Sequence, residues 1–395
     1  MKSIVLYTEE IDEPEEAAEE LFEQAEDFVF EKNSIGIIFA DEELEVYEEF
    51  YRCLAEKWSF PIFGTTALAA LVGNMGCKET GISMMIMTSD ECTFAADITT
   101  ELTAENYMEK IKDTYERLSS GLPEKEKVVL SYSVIIDGLV GDDIIDAIEA
   151  AGADVPVYGA LASDQFNFER HRVYFNEKSE TAAQVMVLIS GNIAPKYLCV
   201  KSISNKANIS YEVTDSRDNQ VFRLGNSIFL DALTQAGMGS KKTQVTSDYV
   251  LSPFIATLKK KDGVEVEVTR NLFMLDQEKG SGIFLGGVPE GTSLEVGVLS
   301  KEDVQTTVEQ AFRTILSCLE KEDEEYHTIL CTSCAARLLA LGGDAAVEAE
   351  GYKKQISDNT SVFGMYSYGE LCPVNIGEEK DINVFHNSTF TLLAF

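Results

Sequence analysis

The sequence predicts an α+β fold in which repeated βαββ-like units form mixed sheets flanked by helices, in two closely packed domains. Three observations predict it. The chain has 395 residues, 45% of them hydrophobic, more than one core ordinarily serves, so two cores are expected. A grammar of buried strand, amphipathic helix and second strand recurs three times, each time ending on an aromatic residue directly before a glycine. No low-complexity tract separates the halves, so they are expected to pack together rather than hang on a tether.

The opening run Met1 to Tyr7 passes at once into Glu9, Glu10, Asp12, Glu13, Glu15 and Glu16. It lacks the basic head and apolar centre of a signal peptide, so a cytoplasmic location is expected. The first unit begins with the buried-strand pattern Ser34-Ile35-Gly36-Ile37-Ile38-Phe39. An amphipathic segment from Glu43 to Lys57 follows, with Val46, Phe50, Leu54 and then Trp58 at helical spacing, before Pro61-Ile62-Phe63-Gly64. The nearly uncharged stretch from Phe60 to Cys77 is broken by Pro61, Gly64, Gly73, Asn74 and Gly76 and is too short to span a membrane. The second unit runs from Lys127-Val128-Val129-Leu130 through the helix opening at Gly141-Asp142-Asp143 to Val157-Tyr158-Gly159. The third runs from Thr328-Ile329-Leu330-Cys331 through a helical stretch to Val362-Phe363-Gly364.

A further apolar strand follows each unit, at Ile82 to Met87, Gln184 to Ile189 and Thr389 to Phe395. A glycine at the close of a unit either lets backbones approach where a Cβ would block them or serves a turn, and both readings stay open. Between the second and third units the grammar changes. Tyr211 to Thr214 and Gln220 to Leu224 flank a polar turn, a helix runs from Ser227 to Gln235, and Val264-Glu265-Val266-Glu267-Val268 alternates as a half-exposed strand. The domain boundary is expected near 205 to 220, giving domains 1–210 and 211–395. Ser300-Lys301-Glu302-Asp303 then opens a helix carrying Val304, Val308, Phe312 and Leu316 with a capping-box-like start.

Sixty-eight acidic residues against thirty-two basic ones give a formal charge of −36, spread along the whole chain. Such a surface repels phosphate backbones and anionic lipid alike, so neither nucleic acid nor a membrane is an expected partner. The eight cysteines are scattered, as small core residues of a reduced protein would be.

The run Phe363-Gly364-Met365-Tyr366-Ser367-Tyr368-Gly369-Glu370-Leu371, with Phe385-His386-Asn387-Ser388-Thr389-Phe390-Thr391, resembles the close of the FIST C domain. Thr269-Arg270-Asn271, Gly280-Ser281-Gly282, Val288-Pro289-Glu290-Gly291 and Leu330-Cys331-Thr332-Ser333-Cys334-Ala335-Ala336-Arg337 are similar to its earlier parts. Tyr158-Gly159-Ala160-Leu161-Ala162-Ser163-Asp164 and Val185 to Gly191 resemble the FIST N domain. The resemblance implies a bacterial sensory module without catalytic activity that binds a small ligand, an amino acid or a related polar compound; some members bind heme. Where the family carries Gly-Gly this chain has Tyr158-Gly159, and the family's first-domain Gly-Cys element is here Gly64-Thr65, without the thiol. With both halves used by FIST-like sequence, the signal is expected to leave through a separate protein.

The candidate ligand-binding residues are Arg270, Cys331, Arg337, Tyr368, Glu370, His386 and Asn387. His386 can hydrogen-bond a ligand or titrate near neutrality, and Asn387 can donate and accept. Glu370, beside Tyr368, would receive an amino group while Arg270 or Arg337 took a carboxylate; a structural ion pair is the competing reading. Cys331 and Cys334 stand where a strand hands over to a helix, which would lower a thiol's pKa, so a thiol redox enzyme is an alternative. Three histidines and no second close cysteine pair leave no set of zinc ligands, and no phosphate-loop, dinucleotide or nucleophile-elbow motif is present. No resident cofactor is expected. Heme stays open as a non-covalent ligand, because one axial residue suffices but the covalent attachment motif is missing.

Overall fold

Each of the three units folds as a parallel strand pair with an antiparallel return strand. The computed structural model describes residues 1–123, 127–152, 154–203, 205–238, 247–260, 263–320, 327–375 and 381–395. In the first unit Asn33–Ala40 pairs parallel with Ile62–Thr66 and antiparallel with Ile82–Ser89. In the second, Lys127–Ser133 pairs with Val157–Leu161 and Gln184–Gly191 in the same senses. In the third, His327–Cys334 pairs with Thr360–Ser367 and Thr389–Ala394. An edge strand lies antiparallel on each return strand: Lys2–Thr8, Cys92–Thr99 and Lys196–Lys201 respectively.

The fifth and sixth positions in each sheet show how the units are joined. Every unit carries a short hairpin between its second parallel strand and its return strand, and lends it to a neighbour. The hairpin of Ala70–Val72 and Gly76–Lys78 pairs with Thr360–Ser367 of the third unit. That of Val173–Phe175 and Lys178–Glu180 pairs with Ile62–Thr66 of the first. That of Glu370–Asn375 and Asp381–His386 pairs with Val157–Leu161 of the second. The result is three six-stranded mixed sheets closed into a ring, two of them built from strands of both halves of the chain.

The three glycines settle between the two sequence readings. Gly64, Gly159 and Gly364 lie inside their strands, in register with Ile38, Ser131 and Cys331. A Cβ at these positions would sit 1.9, 1.8 and 2.3 Å from the carbonyl oxygens of those partners. Close approach, not a turn, demands glycine there. The aromatic residues before them, Phe63, Tyr158 and Phe363, enter one core between the sheets together with Phe39, Tyr132 and Leu330. There Phe39 stacks on Phe363 at 4.6 Å, and the buried Tyr158 hydroxyl donates to the Leu330 carbonyl at 3.2 Å.

The first unit's helix starts later than its periodicity suggests, spanning Tyr47–Lys57 rather than opening at Glu43. Asp41 Oδ1 accepts the Glu43 amide at 2.9 Å and holds the chain in a turn first. The helix Lys301–Leu319 buries Val304, Val308 and Phe312, and Ser300 caps it by accepting the Asp303 amide. Eight strands between Asn205 and Val298 form the expected foreign stretch, an antiparallel sheet inserted before that helix. Its edge strand Glu265–Arg270 buries Val266 and Val268 and exposes Glu265 and Glu267. No described helix is long and apolar enough to cross a membrane.

Gly159→Ala drives its Cβ into a neighbouring backbone that has no rotamer to yield, so a loss of about 3 kcal/mol in unfolding free energy is expected. Denaturant titration measures it. A loss below about 0.5 kcal/mol, within the range of ordinary surface changes, contradicts this account of the glycine.

Candidate functional site

The carboxyl ends of the parallel strands converge on the loop from Ala162 to Arg172. Ser163 donates its amide to the Thr66 carbonyl at 3.3 Å, and its hydroxyl accepts the Leu68 amide at 2.9 Å while donating to the Tyr366 carbonyl. One serine thus ties the three units together. Asp164 organises the remainder of the loop. Its buried carboxylate accepts the amides of Asn167, Phe168, Glu169 and Arg170 at 2.9 to 3.0 Å, together with the Tyr368 hydroxyl. His171 Nδ1 stands 3.5 Å away. Burial alone would raise this acid, but the donors around it hold it well below the usual carboxylate range. The loop adopts left-handed backbone at Phe166 and Phe168, and Phe168 stacks on Tyr368 at 4.3 Å.

In open α/β sheets a ligand crevice lies outside the carboxyl ends of the strands. The ring offers three such places, each between the helix of one unit and the segment lent by its neighbour. At the second unit the place is filled by the inserted sheet. Arg270, fully enclosed, donates to Asp142 Oδ1 at 2.8 Å, Phe385 O at 2.8 Å and Gly287 O at 2.9 Å, while Gly287 N donates to Asp142 Oδ2. In the third unit the crossover helix Ala346–Lys353 packs on the lent hairpin at the amino end of the strand Thr360–Ser367, where its Tyr352 hydroxyl donates to the Gly73 carbonyl at 3.1 Å. At the first unit the place remains an open cleft of about 640 Å³. Its walls are Glu42, Leu44 and Glu45 after the strand, Tyr47, Glu48 and Glu49 at the helix start, and Glu169, Arg170, Arg172, Glu177 and Ser179 from the second unit.

The seven sequence-selected residues do not gather in that cleft. Arg337, fully buried, donates to Glu348 Oε1 at 2.5 Å, to Ser333 and to Ser202, so its guanidinium is matched by a carboxylate of its own chain. Arg270 and Arg337 thus serve as structural pairs. Glu370 and His386 are cross-strand partners in the lent hairpin. Glu370 accepts the Ser367 and Thr389 hydroxyls at 2.7 Å each, and burial raises it to about 8. His386 Nε2 lies 3.1 Å from the Cys372 carbonyl and its Nδ1 is buried without a partner; burial lowers it to about 3. Asn387 accepts the Asn271 amide and so ties the inserted sheet to the last strand. Tyr368 alone belongs to the convergence. Cys331 and Cys334 are both enclosed, and burial raises both thiols. That is opposite in direction to the activation a redox pair requires.

Asp164, Ser163 and the acidic cleft residues were not selected from the sequence. The motif containing Ser163 and Asp164 was visible, but short polar residues before a loop carry no sign of which distant amides they will bind.

Among comparisons with known families, the FIST N domain matches residues 34–227 and the FIST C domain matches residues 231–373. Comparison with curated proteins returns no match.

Glu370 and His386 make opposite contributions to stability against pH. The native state keeps a proton on Glu370 that the unfolded chain releases above the ordinary 4.5, so stability is lost as pH climbs from there to about 8. The native state refuses His386 a proton that the unfolded chain takes up below 6.5, so stability is lost as pH falls from there to about 3. The two slopes cancel between 4.5 and 6.5. Glu370→Gln is expected to flatten the decline in melting temperature between pH 6.5 and 8, to unmask the His386 slope between 4.5 and 6.5, and to leave the limb below 4.5 unchanged. Melting curves across pH test this, and an unaltered alkaline limb refutes it.

Proposed function

The chain belongs to the FIST family, and on that premise we propose that it is a sensory protein of the bacterial cytoplasm. It binds a small polar molecule, an amino acid or a related compound, and signals through a separate partner protein. FIST domains are associated with sensory signal transduction. The observation that carries the reading is the open cleft at the first unit, where the related place in the second unit is filled by the Arg270 contacts. Its volume lies within the roughly 300 to 1,000 Å³ of small-molecule sites.

The cleft also stands where occupancy would be felt across the chain. Glu169 and Arg170 line it, and their amides are bound by Asp164, which in turn holds Tyr368 of the third unit. Glu42, also in the wall, accepts the Gln165 amide at 2.6 Å. A ligand that prefers one arrangement of this loop shifts the population of the whole ring toward it.

Heme does not fit the candidate axial residues. A Cβ at Gly364 would lie 2.2 Å from Cys331 Sγ, so no space separates that sulfur from the neighbouring strand. The Tyr368 hydroxyl is held by Asp164, and His386 is fully enclosed with Nε2 on a backbone carbonyl.

A thermal-shift screen of the full chain against amino acids, small carboxylates and hemin, with an absorption spectrum of each sample, tests the proposal. A ligand at about a hundred times its Kd adds about 2.7 kcal/mol to native stability and raises the melting temperature. The shift is expected to shrink in Arg170→Ala, whose side chain is half exposed. A protein that no compound shifts contradicts the small-ligand reading, and a Soret band with hemin favours the heme alternative.

A further inference from the structure

An aromatic patch lies at the amino ends of the first unit's parallel strands. Phe28, Val29 and Phe30 precede the strand Asn33–Ala40, and Trp58 and Phe60 precede Ile62–Thr66. Phe22 joins them from the last turn of the helix Pro14–Gln24. The rings form one continuous series of contacts, Phe22 to Trp58 at 4.8 Å, Trp58 to Phe60 at 5.8 Å, Phe60 to Phe30 at 5.8 Å and Phe30 to Phe28 at 5.2 Å.

The inner part of this patch is core, and its outer part is uncovered. Trp58 is 7% exposed, whereas Phe30 is 37% and Val29 72% exposed. Single exposed apolar residues are ordinary on a protein surface. Val29 and Phe30 differ, because among the described residues they are the only two large exposed hydrophobics adjacent in the chain. The half-buried rings of Phe28 and Phe60 extend the apolar surface around them. Covering it would remove apolar area from water, and no described segment of the chain does so.

The charges beside the patch select its occupant. Glu23, Glu26, Asp27 and Glu56 each stand within two residues of one of its rings, and their carboxylates make no ion pair or hydrogen bond with any described residue. Lys57 is taken by Glu19 at 3.2 Å and lies over the Phe22 ring, and Lys2 pairs with Glu31 at 3.0 Å. Among the described residues, Lys32 is left as the free ammonium against four free carboxylates. A second copy of the chain would set the same acids face to face, and each copy carries a formal charge of −36, so self-association here is opposed. Anionic lipid is repelled by the same charges. An apolar centre with a free acidic margin is matched by apolar anchors flanked by lysine or arginine.

We propose that this patch docks the separate partner protein and takes a basic amphipathic segment of it. Apolar side chains of that segment cover Val29, Phe30 and the edge of Phe60, and its cations meet Glu23, Glu26, Asp27 and Glu56. The proposal supplies the output side of the sensory reading and rests on it for the existence of a partner. The patch shares no residue with the cleft.

Trp58, the single tryptophan of the chain, is the reporter. The full chain is titrated with a synthetic, tryptophan-free peptide of leucine and lysine patterned as an amphipathic helix, followed by Trp58 emission and by calorimetry. Saturable binding with a shift in Trp58 emission is expected. Val29→Lys should weaken it about tenfold or more, since it removes an apolar anchor and sets a like charge against the peptide. The same change should leave the melting temperature of the free protein unaltered, because Val29 is exposed. Glu26→Gln with Asp27→Asn should weaken binding severalfold and lessen its dependence on salt. Glu105→Gln with Glu109→Gln, an equal loss of exposed acid in the second unit, should change neither. Equal binding of a peptide with serine in place of leucine, an affinity that Val29→Lys leaves unaltered, or an equal loss from the second-unit variant overturns the proposal in favour of adsorption to an acidic surface. If the peptide fails while the compound screen finds a ligand, the docking surface falls and the sensory reading stands. If the peptide binds as expected and no compound shifts the protein, the docking surface stands and the small-ligand reading falls.

Discussion

The reciprocal loan of hairpins is the constraint on which the rest of the molecule depends. A parallel pair with one return strand leaves the outer edge of its second strand unpaired, and unpaired sheet edges are unfavourable to bury and prone to wrong association. Here Ile62–Thr66, Val157–Leu161 and Thr360–Ser367 each receive a hairpin from another unit. No unit completes its own sheet. The two halves are consequently held by backbone ladders rather than by side-chain contacts alone. A change in one unit's connecting segment is delivered directly to the sheet of another.

Closing the ring brings three strand ends close to one axis, and this accounts for the concentration of buried polar groups there. Buried donors and acceptors must be paired, and Ser163 and Asp164 meet that demand with contacts to all three units. The buried ion pairs serve a related purpose. Arg337 with Glu348, and Arg270 with Asp142, each join separate segments of the chain. Breaking one partner of such a pair strands the other, which is more costly than the pair is stabilising. Arg270 thereby fixes the inserted sheet to the second unit, and the same contact closes the crevice that would otherwise open there.

Pseudo-equivalent crevices with different contents explain how a repeated architecture can carry different local chemistry. That of the second unit is used up by the inserted sheet, through Arg270. The first unit has no such insertion. Its crevice is bounded instead by the helix Tyr47–Lys57 and the loop that Asp164 holds. The cleft wall and the loop that joins the units therefore share the same few residues.

The repeated grammar, the three glycines after aromatic residues, the inserted stretch and the family motifs were all legible in the sequence. Each is a local statement about hydrophobic period, backbone freedom or composition, and such statements survive without knowledge of the partner. The late start of the first unit's helix was not legible, because Asp41 competes for the Glu43 amide only in the folded turn. Nor was the fate of the charged candidates. Arg270, Arg337 and Glu370 have the right chemistry for a ligand, but whether a guanidinium or carboxyl meets a ligand or its own chain depends on what folds over it. The sequence by itself determined the units, their order and their family. Tertiary structure alone decided which unit lends its hairpin to which, and that the crevice of the first unit stays open while Arg270 closes that of the second. Ladder hydrogen bonds join backbones that every residue shares, and a cleft is defined by the segments that fail to fill it.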